Sequence, residues 1–213
     1  MKQEKILVIN PATHPGMTDR IAANLEPFRA HGLHIICETA PGGPPFVASD
    51  ADVDAAAVAL RAFVAQETAD VVVIACYADP GLYACREVTK APILGVGRCA
   101  ALAALACADD FGVIAMSAAA IPRHKRALRQ AGLDRLLAGE RPLTAGGSGE
   151  DAIFERLHAA GRALRDEDGA AAGVIGCAEF SALRRRLEAA LGVPVIDPVE
   201  AAMAFATTIL GLR

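Results

Sequence analysis

Two of the six cysteines, Cys76 and Cys177, stand in matching sequence surroundings. Each directly follows a short aliphatic run of the kind that forms a strand buried on both faces. Each is then followed by a helical pattern, by a proline 16 or 17 residues downstream (Pro92 or Pro194) and by another aliphatic run. The pattern predicts an internal duplication that places one thiol at the same structural position in each copy.

A pair of thiols in such positions could invert a carbon centre. Ligands of parallel α/β sheets bind beyond the carboxyl ends of the strands, so we expect the two thiols to face each other across a cleft. A base on one face of a carbon and an acid on the other can exchange its proton with inversion. A helix that begins directly after each strand would stabilise a thiolate through its backbone N–H groups. The predicted catalytic acid/base pair is therefore Cys76 and Cys177.

Three polar residues are candidates for binding the substrate. Asn10 and Thr13 follow the first predicted strand of the first half, and Ser117 follows the first predicted strand of the second half. The separations from Asn10 to Cys76 and from Ser117 to Cys177, 66 and 60 residues, are similar, as a duplication requires. Together with loop amides, these side chains could donate hydrogen bonds to the enolate-like oxygen that forms when a carbon acid loses its proton.

The order of the elements predicts an α/β protein in which short strands alternate with helices. Two repeats predict two pseudo-symmetric lobes, each a parallel sheet flanked by helices, with the active site between them. The segment Arg141–Gly149, rich in glycine, is predicted to be a loop. The predicted strands are Ile6–Ile9, His34–Cys37, Val71–Ala75, Ile93–Gly95, Gly112–Met116, Gly173–Gly176 and Val195–Ile196. The predicted helices are Thr18–Ala30, Asp52–Thr68, Ala100–Ala108, Arg123–Gln130, Glu150–Arg165, Phe180–Leu191 and Val199–Leu210.

Composition excludes several classes of function. The chain has 213 residues, 54% of them hydrophobic, which is enough for a large core, and its net charge of −4 disfavours nucleic-acid binding. We find no signal peptide and no apolar stretch of the roughly 18–20 residues that a membrane span needs, so we expect a cytoplasmic protein without membrane contact. In that reducing compartment we expect no disulfides, and no cysteine has the spacing of a metal site.

Three segments carry a resemblance to a known family. Ile9-Asn10-Pro11-Ala12-Thr13, Ala75-Cys76-Tyr77-Ala78-Asp79-Pro80-Gly81-Leu82 and Gly176-Cys177-Ala178, with Gly192–Asp197 beyond it, resemble motifs of the aspartate/glutamate/hydantoin racemase superfamily. The chain is most similar to the hydantoin and allantoin racemases of that superfamily. The resemblance extends over essentially the whole chain and is specific at both cysteines.

The resemblance implies a fold, a reaction and further site residues. It implies two flavodoxin-like lobes, for which we predict the bounds 1–97 with 197–213, and 98–196. It implies an isomerase that needs neither cofactor nor metal and that racemises a small carbon acid, such as a 5-substituted hydantoin or allantoin, with two cysteines. Tyr77, Ala178 and Glu179, which flank those cysteines, are then expected to bind substrate. We also expect a homo-oligomer.

Departures from the family pattern leave the substrate open. Glu179 stands where hydantoin racemases have Gly, and it resembles the acid of aspartate racemases; Ser117 replaces a Thr-Thr pair. An aspartate- or glutamate-type racemase is therefore an alternative, as is a maleate isomerase or an arylmalonate decarboxylase of the same fold. A different class, a non-catalytic protein that binds a small metabolite, is a further alternative.

Several residues also have purely structural interpretations. Asp79 is predicted to form a turn and cap a helix, and Glu179 could simply occupy the first turn of a helix, where acidic residues are favoured. His14 is predicted to lie on a surface loop. The four remaining cysteines are predicted to pack within the core: Cys37, Cys85, Cys99 and Cys107.

Overall fold

The computed structural model describes residues 4–30 and 32–212. The chain divides into two compact units. The first contains the chain through Cys99 together with the C-terminal segment from Val199, and the second is Ala100–Pro198.

The first unit is built on a four-stranded parallel sheet with the strand order β2-β1-β3-β4. Its two central strands are buried: β3 along its whole length, and β1 at every residue after its first. Such runs form in parallel sheets because helices cover both faces. The strands are β1 (Lys5–Asn10), β2 (His34–Thr39), β3 (Val71–Ile74) and β4 (Ile93–Gly95). The helices of this part of the chain are α1 (Met17–Asn24), α2 (Glu26–Ala30), α3 (Asp50–Val64), α4 (Leu82–Arg86) and α5 (Val96–Leu105).

The second unit repeats this arrangement with the strand order β6-β5-β7-β8, again all parallel. The two sheets therefore have the same connectivity, with β1 matching β5 and β3 matching β7, as the predicted duplication requires. The strands are β5 (Phe111–Ala115), β6 (Leu137–Pro142), β7 (Gly173–Ile175) and β8 (Val195–Ile196). The helices are α6 (Ile121–Ala131), α7 (Glu150–Asp166) and α8 (Arg184–Leu191). The last helix, α9 (Pro198–Gly211), lies almost wholly in the C-terminal segment that belongs to the first unit.

Each sheet has its own hydrophobic core. In the first unit Leu60 and Val64 of α3 pack with Leu7 and Ile74 of the sheet. In the second unit α7 and α8 contribute Leu157 and Leu187, which pack against β5 and β7. Burying side chains of this size stabilises each unit by about 1.5–3 kcal/mol per residue. No helix in the described part of the chain is long and apolar enough to cross a membrane.

Several predicted elements were wrong in detail. The single helix predicted over Thr18–Ala30 is two helices, because Pro27 has no N–H group to continue α1. The predicted loop Arg141–Gly149 begins inside β6, an edge strand whose residues are half exposed and whose apolar periodicity is therefore weak. Helix α5 begins at Val96, four residues before the predicted Ala100.

Candidate functional site

In the first unit, Cys76 lies at the carboxyl edge of the sheet. It is the second residue after β3, and the intervening Ala75 donates its backbone N–H to the carbonyl of Ile9 at 2.8 Å. Adjacent parallel strands are separated by about 4.8 Å, so the turn that carries Cys76 lies beside the loop that follows Asn10. The Cys76 side chain is partly buried and forms no disulfide.

Asn10 shapes the loop beside that cysteine. Its side chain is 1% exposed, and its Oδ1 accepts a hydrogen bond from the backbone N–H of Ala12 at 3.0 Å. Its Nδ2 donates to Thr18 Oγ1 at 3.0 Å, and that hydroxyl in turn bonds the hydroxyl of Thr39. Asn10 thus connects the ends of β1 and β2 to the start of α1, and its amide holds the loop in place.

The loop from Pro11 to Gly16 is fastened to the chain that follows β2. The backbone N–H groups of Thr13 and His14 donate to the carbonyls of Pro44 and Pro45 at 2.9 and 3.1 Å. Thr13 is exposed at this edge, so its hydroxyl is accessible to a small molecule. His14 is also exposed, as predicted for a surface loop, and its ring packs against Phe46 with the ring centroids 4.5 Å apart.

The turn after Cys76 contains the buried carboxylate of Asp79. Oδ1 accepts the backbone N–H of Gly97 and Oδ2 that of Arg98, both at 2.8 Å. Burial raises the pKa of this carboxyl to about 7, although those two N–H groups and the nearby Arg98 and Arg86 guanidinium groups lower it. The predicted role as a helix cap is confirmed, and the capped helix is α5, eighteen residues further along the chain.

In the second unit, Cys177 occupies the matching position. It is the second residue after β7, and the intervening Gly176 donates its N–H to the carbonyl of Ile114 at 2.9 Å. A Cβ at Gly176 would lie 2.6 Å from that carbonyl oxygen, so only glycine fits between these strands. Cys177 is partly buried and forms no disulfide, like Cys76.

The other predicted residues of this unit surround the same edge. Ser117 is exposed, two residues after β5, and its carbonyl accepts the N–H of Ala120. Glu179 is partly buried in the turn after Cys177, whereas the side chain of Ala178 is 6% exposed. Because the Ala178 side chain is so little exposed, any contact of this residue with a ligand would be made largely through its backbone. In the first unit Tyr77, the residue after Cys76, is 9% exposed.

The predicted position of the cysteines at helix N-termini was wrong. Both lie in turns: α4 begins only at Leu82, and after Cys177 a short 3₁₀ turn (Ser181–Leu183) precedes α8. Asp79 has a positive φ of 47° and Gly81 one of 67°, and these left-handed residues prevent the helix from starting at Cys76. Glu179 is likewise outside a helix, so the macrodipole does not explain an acid at that position.

The four other cysteines differ from this pair. Burial raises the pKa of Cys37 and Cys85 to about 11 and that of Cys99 to about 12, which keeps these thiols protonated and unreactive. Cys107 is exposed, so the prediction that it packs in the core was wrong. It lies in the turn after α5, away from the strand ends that carry Cys76 and Cys177.

No role was predicted from the sequence for one buried carboxylate of the second unit. Asp197, directly after β8, is 1% exposed, and its Oδ2 accepts the hydroxyl proton of Ser181 at 2.7 Å. This bond ties the segment after the Cys177 turn to the end of β8. Asp197 is the last residue of the third segment that resembles the family, but that resemblance gave it no role. Within residues 4–30 and 32–212, no three His, Cys, Asp or Glu side chains cluster closely enough to bind a metal ion.

Solved structures with the same arrangement define the class of protein. The allantoin racemase from Klebsiella pneumoniae matches with a TM-score of 0.92 at 28% identity, over 99% of this chain and 89% of that one. The glutamate racemase from Francisella tularensis matches with a TM-score of 0.69 at 18% identity, which shows a shared fold. Two four-stranded parallel sheets, each flanked by helices, are thus the two-lobe α/β fold of racemases.

Sequence comparison then gives the family. The model of the Asp/Glu/Hydantoin racemase family matches residues 6–206. A hydantoin racemase of Paenarthrobacter aurescens is 34% identical over 220 residues, covering 98% of this chain and 92% of that protein. The chain belongs to the Asp/Glu/hydantoin racemase family, as its motifs predicted, and is a racemase.

Proposed function

We propose that the protein is a cofactor-independent racemase of 5-substituted hydantoins or allantoin, with Cys76 and Cys177 as its acid/base pair. The observation that carries the proposal is the equivalent position of the two thiols. Each is partly buried, forms no disulfide and is the second residue after the matching strand of its sheet, β3 or β7. The names of the relatives, a hydantoin racemase and an allantoin racemase, support this substrate class.

The reaction begins with loss of a proton from the ring carbon of the substrate. In a hydantoin this carbon lies between a carbonyl group and a ring nitrogen, so the resulting anion is delocalised onto oxygen. One cysteine, as thiolate, removes the proton, and the other, as thiol, returns a proton to the opposite face. The opposite enantiomer uses the same two groups with their roles exchanged, so both cysteines are required in both directions.

The remaining site residues stabilise the anion and hold the substrate. The hydroxyls of Thr13 and Ser117 are exposed at the two cysteine-bearing edges and can donate hydrogen bonds to the developing oxyanion. Asn10 contributes by holding the loop that carries Thr13. We assign Tyr77, Ala178 and Glu179 to substrate contact because each lies within two residues of a catalytic cysteine.

A second candidate substrate class is the acidic amino acids. Glu179 favours it, because this acid is partly buried in the turn after Cys177 and is suited to a substrate ammonium group. A hydantoin has no such cation. An acidic amino acid would therefore use the Glu179 carboxylate to bind its ammonium group, whereas a hydantoin would not.

The deciding experiment is a racemisation screen in deuterated buffer. The panel contains 5-benzyl- and 5-isobutylhydantoin, allantoin, aspartate and glutamate, each as a single enantiomer. We expect the optical rotation of a hydantoin or of allantoin to decay while solvent deuterium enters the ring carbon. Racemisation of aspartate or glutamate alone would transfer the assignment to the second class. Exchange with none of the panel, or release of carbon dioxide from an arylmalonate, would contradict the racemase of carbon acids proposed here.

A further inference from the structure

The turn after Cys76 is fixed by an unusual residue. Among residues 4–30 and 32–212, Asp79 is the only residue other than glycine with a positive φ, which is 47°. Its backbone N–H donates to the carbonyl of Cys76 at 2.9 Å, which closes the turn on the cysteine itself. An L-residue adopts this backbone conformation only where the surroundings hold it there.

What holds Asp79 is the start of α5. Its two carboxylate oxygens accept the N–H groups of the second and third residues of that helix, Gly97 and Arg98. In this way a residue distant in sequence takes the place of an N-cap side chain, and the helix begins four residues earlier than its sequence predicts. The Cys76 turn and α5 are therefore mechanically connected through one carboxylate.

Two glycines make room for this connection. A Cβ at Gly95 would lie 2.3 Å from the carboxyl carbon of Asp79, and a Cβ at Gly97 would lie 2.1 Å from the carbonyl oxygen of Tyr77. Neither position tolerates a side chain without displacement of the Cys76 turn. The backbone of β4 and α5 is thus fitted closely to the turn on both sides of Asp79.

We propose that Asp79 is a positioning residue for Cys76: it holds the Cys76 turn against the N-terminus of α5 and so sets the geometry in which that thiol reacts. The inference rests on the proposed function for its kinetic consequence. The second unit has no equivalent, because the residue that corresponds to Asp79, three positions after the cysteine, is Phe180. Loss of Asp79 should therefore impair one cysteine and leave the other intact.

The charged groups around Asp79 are few and identifiable. The Arg98 and Arg86 guanidinium groups favour its ionised form, whereas the buried Cys99 thiol lies close enough to interact with it electrostatically. Arg98 also donates to Tyr83 Oη at 2.6 Å, and Arg86 donates to the carbonyl of Ile93 at 3.2 Å. These bonds fix the surroundings of the carboxylate without occupying its oxygens.

The test compares Asp79→Asn with a matched cap variant, Asp52→Asn. Asp52 completes the capping box of α3 in the same unit, and its carboxylate accepts the N–H groups of Ala48 and Ser49. Racemisation of each enantiomer of 5-benzylhydantoin would be followed with protiated and ring-deuterated substrate. We expect Asp79→Asn to lower kcat at least about tenfold with KM within about threefold, since positioning of an acid/base group acts mainly on the chemical step.

The isotope effect separates positioning from general destabilisation. When Cys76 is displaced, proton transfer at that thiol becomes more rate-limiting, so the deuterium isotope effect should rise for one enantiomer and not for the other. Asp52→Asn should leave both isotope effects at their wild-type values. Wild-type kinetics in Asp79→Asn, or a symmetric loss with unchanged isotope effects, would overturn the proposal.

Two further measurements keep the test decisive. If Asp79→Asn does not fold, Gly97→Ala disturbs the same contact while retaining the carboxylate, and the same asymmetric isotope effect is expected. If the wild type racemises nothing, the proposed function fails, and the rate of alkylation of each cysteine by iodoacetamide still tests Asp79. A selective change at Cys76, with Cys177 within about twofold of its wild-type rate, supports the positioning role; equal rates in wild type and variant at both cysteines overturn it.

Discussion

The two cysteine turns have the same position in their sheets and different internal construction. In the first, Ala75 precedes the cysteine, and a carboxylate within the turn caps a helix distant in sequence. In the second, glycine precedes the cysteine because of the close approach of Ile114, and the carboxylate that restrains the region, Asp197, comes from the end of β8. The restraining carboxylate is thus part of the first turn itself, whereas in the second unit it comes from another segment of the chain. A duplicated framework can evidently hold one functional group in the same position by different local means.

The largest expected effect is loss of either thiol. Cys76→Ser and Cys177→Ser should each lower racemisation by about a thousandfold, since a positioned acid or base contributes 10²–10⁴ in rate. A hydroxyl is a far weaker acid than a thiol and cannot act as the base. Loss of optical rotation under saturating hydantoin measures the effect.

The control for this prediction is Cys107→Ser, because Cys107 is exposed and lies away from both strand ends. It should retain wild-type turnover. Near-normal activity in either of the first two variants would contradict a reaction that requires both thiols, and the two turns would then not be functionally equivalent.

The residue before each cysteine provides a test of stability. Gly176→Ala should destabilise the protein by about 2–3 kcal/mol, because the new methyl group would overlap the Ile114 carbonyl. The mirror variant Ala75→Gly should cost only about 0.5–1 kcal/mol, mainly through backbone entropy. Urea unfolding monitored by circular dichroism gives both values. Equal effects would mean that the strands approach each other equally closely in the two units.

The carboxylate in the first turn predicts a dependence of stability on pH. Because the native pKa of Asp79, about 7, is above the ordinary 3.8, the folded state favours its protonated form. Its contribution to stability is therefore fully present below pH ~4 and is lost as the pH rises through about 7. Asp79→Asn removes this titration, so its destabilisation relative to wild type should be larger near pH 5 than near pH 8, by on the order of 2 kcal/mol.

Urea midpoints of the two proteins across this range would measure that difference. Asp197→Asn serves as the comparison from the second unit, where a buried carboxylate accepts the hydroxyl proton of Ser181. If the difference in unfolding free energy between wild type and Asp79→Asn does not change with pH, the Asp79 carboxyl ionises normally in the folded protein. The two cysteine turns would then not differ in this electrostatic property.

The smallest expected effect concerns the restraint on the second turn. Ser181→Ala removes the hydroxyl that donates to Asp197 and should cost about 1 kcal/mol, a typical value for one hydrogen bond. Ser181→Thr keeps the hydroxyl and should recover part of this loss. Thermal unfolding measures both, and an unchanged midpoint in Ser181→Ala would show that this bond contributes nothing to holding the segment after Cys177.

Much of the molecule follows from local sequence. The apolar runs of β1, β3, β5 and β7 are buried on both faces, so short aliphatic stretches between turn signals identified them. The resemblance to the racemase family was carried by the motifs around Asn10, Cys76 and Cys177. Strand β6 was missed because edge strands are half polar; its Glu140 has a buried side chain that pairs with His124.

What only the tertiary structure decided is how the cysteine turns are held. The start of α5 could not be located from its own residues, because its cap is the side chain of Asp79. The sequence predicted a turn at Asp79, but it could not show the positive φ of that residue or its close fit against Gly95 and Gly97. Local propensity sets which residues form strands and helices. The restraints on the reactive thiols come from hydrogen bonds between segments distant in sequence, which appear only once the chain has folded.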